Sequence, residues 1–305
     1  MGSGVPQVKG AYALESGSVP FRDAVGKFVL GIVQIGSGGS LGREGPTVQI
    51  CAGVSSLLAR LASLSQQNSR RMAPVGVTAG IAAAFNAPSA AATFTLEEII
   101  ADLDQTMLWG VIVAAAIAAA VERSVLGQRP VFEMPHVHSV GPASALVSYA
   151  LLGVLSAVVS VAITDSLLGL RTRFKDLTVV PGWAHPALGG ATGTLAVIAL
   201  LWLKSRGITG GGCETLALAL TGSLPAKILL ALCVLKLAAT VCSYSSGGAG
   251  GIFAPSLFIG GTLGGAIDYL EAAIFHHPPD SIGAFALVGM GAVFAGIIRA
   301  PMTRS

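Results

Sequence analysis

Charge is what this chain has least of. Only 11% of its 305 residues are Asp, Glu, Lys or Arg, against about 25% in soluble domains. So little charge cannot coat a solvated surface, and the chain reads as a membrane protein. Aromatic residues are scarce as well, at 6%. The formal net charge of +3 is spread over connecting segments, so the dense basic stripe of a nucleic-acid-binding protein is missing and no nucleic-acid partner is expected. There are only four cysteines, Cys51, Cys213, Cys233 and Cys242, with no C-x-x-C pair among them. Buried small apolar residues are expected there, without metal or disulfide. No H-E-x-x-H motif occurs, and no strand pattern precedes any glycine turn, which excludes zinc hydrolysis and dinucleotide binding. No cofactor is expected, and the start at Met1-Gly2-Ser3-Gly4-Val5-Pro6 lacks the pattern of a cleavable signal peptide.

What is present is hydrophobic length and glycine. Hydrophobic residues make up 53% of the chain and glycines number 40. Apolar runs at residues 109–121, 143–163, 187–203 and 282–298 approach or reach the roughly 20 residues that cross a bilayer. Another, 228–242, is interrupted only by Lys236. Glycine at this density suits closely packed or broken membrane helices. A helix over 72–100 is expected to break at Phe85-Asn86-Ala87-Pro88, because proline has no backbone donor. The resumed piece carries Glu97 and Glu98, and acids on a membrane helix are functional candidates. Residues 63–71 read as a polar connector, and 122–142, with His136 and His138, as a loop joining two halves. Basic clusters at Arg60, Arg70 and Arg71, at Arg171, Arg173 and Lys175, and at Lys204 and Arg206 leave the orientation open.

An internal echo supports the two halves. Residues 79–88 resemble residues 291–301, and repeated halves with broken helices are a transporter signature. The expected architecture is all-α, multi-pass, with broken helices in two inverted-topology halves, residues 1–126 and 127–305, forming one transmembrane domain.

Three glycine turns each lead into a proline and an apolar helix: Gly2-Ser3-Gly4-Val5-Pro6, Gly42-Arg43-Glu44-Gly45-Pro46 and Gly251-Ile252-Phe253-Ala254-Pro255. Proline favours the first helical position, so Glu44 is placed at a helix N-terminus. Each helix start leaves backbone N–H groups that lipid cannot satisfy. Converging N-termini carry positive dipole ends, bind an anion without a fixed cation, and let it leave again. Glycine removes the Cβ atoms that would hold the anion off the amides. Glu44 is itself a tethered anion beside such amides. It is expected to compete with the transported ion and to swing away when protonated, which links anion and proton.

These three motifs, with Phe85-Asn86-Ala87-Pro88 between the second and third, resemble those of the CLC chloride channels and chloride/proton antiporters, over essentially the whole chain. The resemblance implies an anion site of Ser3, Gly4, Arg43, Glu44, Gly45, Ile252 and Phe253, with the Ser3 hydroxyl and the Ile252 and Phe253 amides facing the ion. It implies Glu44 as the external gate and Glu98 as the internal proton-transfer glutamate, found in the antiporters where the pure channels usually have an apolar residue. Ser3, rather than proline, resembles the chloride-preferring members. The partners implied are chloride, protons, the lipid bilayer and a second copy in a homodimer, in a bacterial inner membrane. Relative to the family pattern the chain reads as truncated at both ends. The family's central tyrosine then falls beyond Ser305, and Tyr244 is not its match.

Two other readings compete. A passive voltage- or pH-gated chloride channel of the same family differs only in moving no protons. An intramembrane hydrolase using Ser3, Ser40 or Ser246 needs a positioned base. His136, His138, His185, His276 and His277 all lie in connecting segments, so the chain is read as a transporter and not an enzyme.

Overall fold

The computed structural model describes residues 2–100, 105–127, 145–176, 181, 184–189, 191–205, 207–275 and 282–299. The described residues are helical and connected by turns. Their helices are α1 (Val5–Leu14), α2 (Phe21–Gly36), α3 (Glu44–Leu61), α4 (Gln66–Phe85), α5 (Pro88–Phe94), a π-helical turn (Thr95–Ile100), α6 (Gln105–Leu126), α7 (Ala145–Asp176), α8 (His185–Leu188), α9 (Ala191–Leu203), α10 (Cys213–Leu220), α11 (Ala226–Ser245), α12 (Phe253–Phe275) and α13 (Ile282–Arg299). Among the described residues, five stretches are long and apolar enough to cross a membrane: Thr106–Leu126, Ala145–Asp176, His185–Leu203, Ala226–Ser245 and Phe253–Ile274. Trp109, Ile117 and Val121 on α6, and Val147, Val154 and Val158 on α7, are exposed. Water would not tolerate apolar surface on this scale. The chain is a multi-pass membrane protein.

The break at Phe85-Asn86-Ala87-Pro88 forms as expected. Asn86 stops α4 in the left-handed region at φ 50° and Pro88 opens α5. Asn86 also accepts a hydrogen bond from Arg123 Nε at 2.7 Å. Other expectations are corrected. The connector at 63–71 is mostly helix, because Ser65 caps α4 by accepting from the Asn68 N–H. Glu122 and Arg123 continue α6 rather than opening a loop. Arg171, Arg173 and Lys175 lie on the end of α7, where cations complement the helix dipole. Of the expected loop, residues 128–142 with His136 and His138 lie outside the described residues, as do Arg206, His276, His277 and Pro301. All four cysteines are free, yet only Cys233 is buried. A small apolar side chain gains nothing by retreating from lipid, so Cys51, Cys213 and Cys242 need not be interior.

The chain divides into two compact units. The first comprises Met1–Gln34, Arg43–Glu133 and Ala249–Gly251. In it α2, α3 and α4 approach through glycine: a Cβ on Gly53 would lie 2.6 Å from the Ala24 methyl, and one on Gly80 would lie 2.9 Å from Cys51 Sγ. Thr78 on α4 donates to Thr95 Oγ1 at 2.9 Å and so ties the π-helical turn to α4.

The second unit comprises Ile35–Gly42, Met134–Gly248 and Ile252–Ser305. There α12 and α13 touch backbone to backbone, since a Cβ on Gly260 would strike the Gly289 carbonyl and one on Gly264 the Phe285 carbonyl. Leu152, Ile163, Ile259, Phe285, Val293 and Ile297 form its core with residues of α11, and Tyr149 stacks on Phe285 at 4.2 Å.

One element order occurs twice: a short helix, a longer helix, a glycine turn and two further helices, as α1–α4 and as α10–α13. Each copy holds one fully buried lysine, Lys27 on α2 and Lys236 on α11. Lys27 precedes the first residue of α3 by the same interval as Lys236 precedes the first residue of α12.

Candidate anion site

The first glycine turn ends in Gly4, the N-cap of α1, at φ 105°. Its N–H donates to Gln7 Oε1 at 2.9 Å, so one orphan donor of the helix start is satisfied locally. A Cβ on Gly4 would fall on the Gly45 carbonyl oxygen, and a Cβ on Gly45 would fall on the Ser3 carbonyl oxygen and within 3.0 Å of Gly251 Cα. The three glycine turns therefore meet within the first unit, backbone against backbone, at Ser3–Gly4, Gly45 and Gly251. At positions 4 and 45 no residue with a side chain fits. Lys27 Nζ donates to the Gly2 carbonyl, and Gln34 Oε1 accepts from the Ala249 N–H at 3.0 Å, so each outer turn is held from α2.

The helix starts differ from expectation by a residue or two. α3 begins at Glu44 and α12 at Phe253, which puts Pro46 and Pro255 at the third position, while Pro6 is at the second position of α1. Every amide in a helix's first turn lacks an intrahelical acceptor, so proline loses nothing at any of these positions. As a result Glu44 is the first residue of α3, at the positive end of its dipole. It is buried, at 6% exposure, and Ser3 is buried at 8%. The Arg43 side chain is exposed, and its carbonyl accepts from the Thr47 N–H at 3.0 Å and the Thr47 hydroxyl at 2.9 Å. Ile252 and Phe253 directly follow Gly251 in the chain and belong to the second unit. Phe253 is fixed edge-on against Phe294 at 4.6 Å, and its carbonyl accepts from the Ser256 hydroxyl at 2.6 Å.

Glu98 is half-buried and Glu97 exposed. Both stand on the π-helical turn Thr95–Ile100, a conformation that concentrates at functional sites. Sequence patterns carry no marker for the extra residue in such a turn, so the sequence does not announce it. The buried cations Lys27 and Lys236 were also missed as site elements. Their one signal was a lysine in each of two apolar segments at equal distance from a glycine-led helix. Asp268 and Glu271 on α12, both buried, were not singled out either. Among the described residues no group of three or more His, Cys, Asp or Glu is placed to hold a metal. The arrangement offers the Ser3 hydroxyl and the Glu44 carboxylate, both buried at helix starts, groups able to hold an anion and to exchange a proton.

Comparison with known proteins gives consistent results. The chain is 31% identical over 307 residues to the H(+)/Cl(-) exchange transporter ClcA of Salmonella paratyphi A, covering 99% of this chain and 64% of that protein. The match to ClcA of Citrobacter koseri is 32% identical with the same coverage. The chain thus spans about two-thirds of the length of these relatives, just under that fraction. The structure of a slow cyanobacterial Cl-/H+ antiporter superposes with a TM-score of 0.84 at 27% identity, over 99% of this chain and 70% of that one. A CLC-type fluoride/proton antiporter, at 24% identity and a TM-score of 0.74 over 97% of this chain and 71% of that one, shares the fold. The family model described as voltage gated chloride channel matches residues 1–305. With its motif turns pressed together on glycine and a family model matched from end to end, the chain belongs to the voltage gated chloride channel family.

Proposed function

We propose that the protein is an anion transporter that exchanges chloride for protons across a membrane. The observation that carries this reading is the burial of Glu44 as the first residue of α3, in the unit where the three glycine turns press together. A buried carboxylate at a dipole's positive end competes for the place an anion would take, and gives it up when a proton neutralises it. Ser3 and Gly4, Glu44 and Gly45, and the amides of Ile252 and Phe253 are assigned to the anion. Arg43, whose side chain is exposed, contributes through its backbone and its long-range charge. Glu98 is assigned the transfer of protons at the other end of the route, and its half-burial on a π-helical turn suits a group that must meet both protein and water. Relatives named as exchange transporters support exchange over passive conduction. The names of the relatives describe transport and no catalysis.

We further assign the protein to a homodimer in a bacterial inner membrane, with its membrane domain built from the halves 1–126 and 127–305. The purified protein in liposomes under an imposed chloride gradient tests the transport reading, with external pH recorded beside chloride efflux. Exchange predicts proton uptake against its own gradient, lost in Glu98→Ala while chloride flux persists. Chloride flux without proton movement in the unmodified protein would make it a passive channel.

A further inference from the structure

The residues just ahead of Arg43 and Glu44 are held by one stripe on α11. Lys236, Thr240 and Ser243 recur at helical spacing, so they share a face, and all three are buried. The Lys236 ammonium donates to the carbonyls of Gly207, Ile208 and Gly210 at 3.1, 3.0 and 2.6 Å. Three acceptors match its three N–H groups, and the Phe258 ring lies 5.1 Å away. The lysine thereby fixes the turn ahead of α10. That turn in turn grips the second glycine turn, because the Gly210 N–H donates to the Gly39 carbonyl at 3.0 Å. The next residue, Ser40, is fully buried and bound twice to α11: its N–H donates to Ser243 Oγ at 3.0 Å, and its hydroxyl pairs with Thr240 Oγ1 at 3.1 Å.

We propose that Lys236, Thr240 and Ser243 are positioning residues for the Glu44 gate. They clamp Gly39 and Ser40 so that the backbone entering α3 stays fixed while the Glu44 side chain moves. A gate works only if the anchor of its swinging group does not move with it. Glu44 stands four residues beyond Ser40, and the approach to it carries glycines at 38, 39 and 42; so flexible a segment keeps no fixed geometry unless something outside it supplies one. Buried hydrogen bonds in low dielectric provide that constraint. The role rests on the exchange reading above, whereas the clamp itself does not.

Ser243→Ala removes the acceptor of the Ser40 N–H, and Thr240→Val keeps shape while removing the hydroxyl pair; Ser243→Thr retains the acceptor. Backbone hydrogen exchange of the segment 36–44 in the detergent-purified protein reads the clamp directly. Opening of that segment should rise by about fivefold to tenfold in Ser243→Ala, as the loss of a buried hydrogen bond implies, and return toward the unmodified value in Ser243→Thr. In liposomes the same alanine variant should move chloride with fewer protons per chloride and a flatter pH profile. These changes are not expected from a defect that merely lowers the amount of folded protein. Unchanged exchange of 36–44 in both Ser243→Ala and Thr240→Val overturns the clamp. Faster exchange of the segment with an unaltered proton ratio and pH profile overturns its role in gating. If the unmodified protein moves chloride and no protons, the exchange reading fails, and the clamp is decided by hydrogen exchange together with the pH profile of chloride flux. Should Lys236→Met fail to fold, the serine and threonine variants still decide.

Discussion

The smallest decisive group in this protein is a hydrogen atom on an α-carbon. At Gly45 a methyl would meet the Ser3 carbonyl and crowd Gly251, so Gly45→Ala forces main chain apart where nothing can yield by rotating. It should destabilise the protein by about 1–3 kcal/mol and abolish chloride flux. Thermal denaturation in detergent and a liposome efflux assay check this, and an alanine variant with unaltered melting and flux would contradict the close contact. At Glu44 the prediction concerns charge. If the carboxylate competes with the anion, chloride flux should rise as pH falls and the group protonates. Glu44→Gln should then hold flux high and independent of pH, because the amide resembles the protonated acid at every pH. The glycine turns and Glu44 were legible in the sequence because glycine, proline and a lone acid constrain their own surroundings. The exposure of the Arg43 side chain was not, since burial depends on neighbours distant in sequence. In the sequence Lys236 shows only as an interruption of an apolar run, because its acceptors lie in another turn.

At the scale of the element, Glu98 stands on the π-helical turn Thr95–Ile100. Each residue advances an α-helix by about 100°, so deleting Leu96 should restore ordinary winding and rotate Glu98 off its face. Proton transport should fall while chloride flux continues. Equal loss of both in a well-folded deletion variant would show that the turn serves the packing of α4 rather than the proton. The helix breaks illustrate which elements a sequence can announce. Phe85-Asn86-Ala87-Pro88 marked its own stop through proline and a left-handed asparagine, and the turn that followed did not. Helix ends are less legible where a polar run looks like a connector. Residues 66–71 are polar and helical at once, because one capping serine suffices to start α4.

For the whole molecule, composition alone gave the membrane setting, since 11% charge leaves no other. The five apolar spans predict that the protein stays with the membrane pellet after an alkaline carbonate wash. Release into the supernatant would contradict the reading of exposed α6 and α7 residues as lipid-facing. Order along the chain also has a consequence for biogenesis. An uncompensated lysine near a helix centre raises the free energy of membrane insertion by about 2.5–3.5 kcal/mol. Both buried lysines come after their acceptors, Lys27 after Gly2 and Lys236 after Gly207, Ile208 and Gly210. Because synthesis runs from the N-terminus, those carbonyls have left the ribosome before each lysine emerges, so α11, one of the apolar spans, can enter the bilayer with a partner for its cation already made, and α2 folds with one at hand.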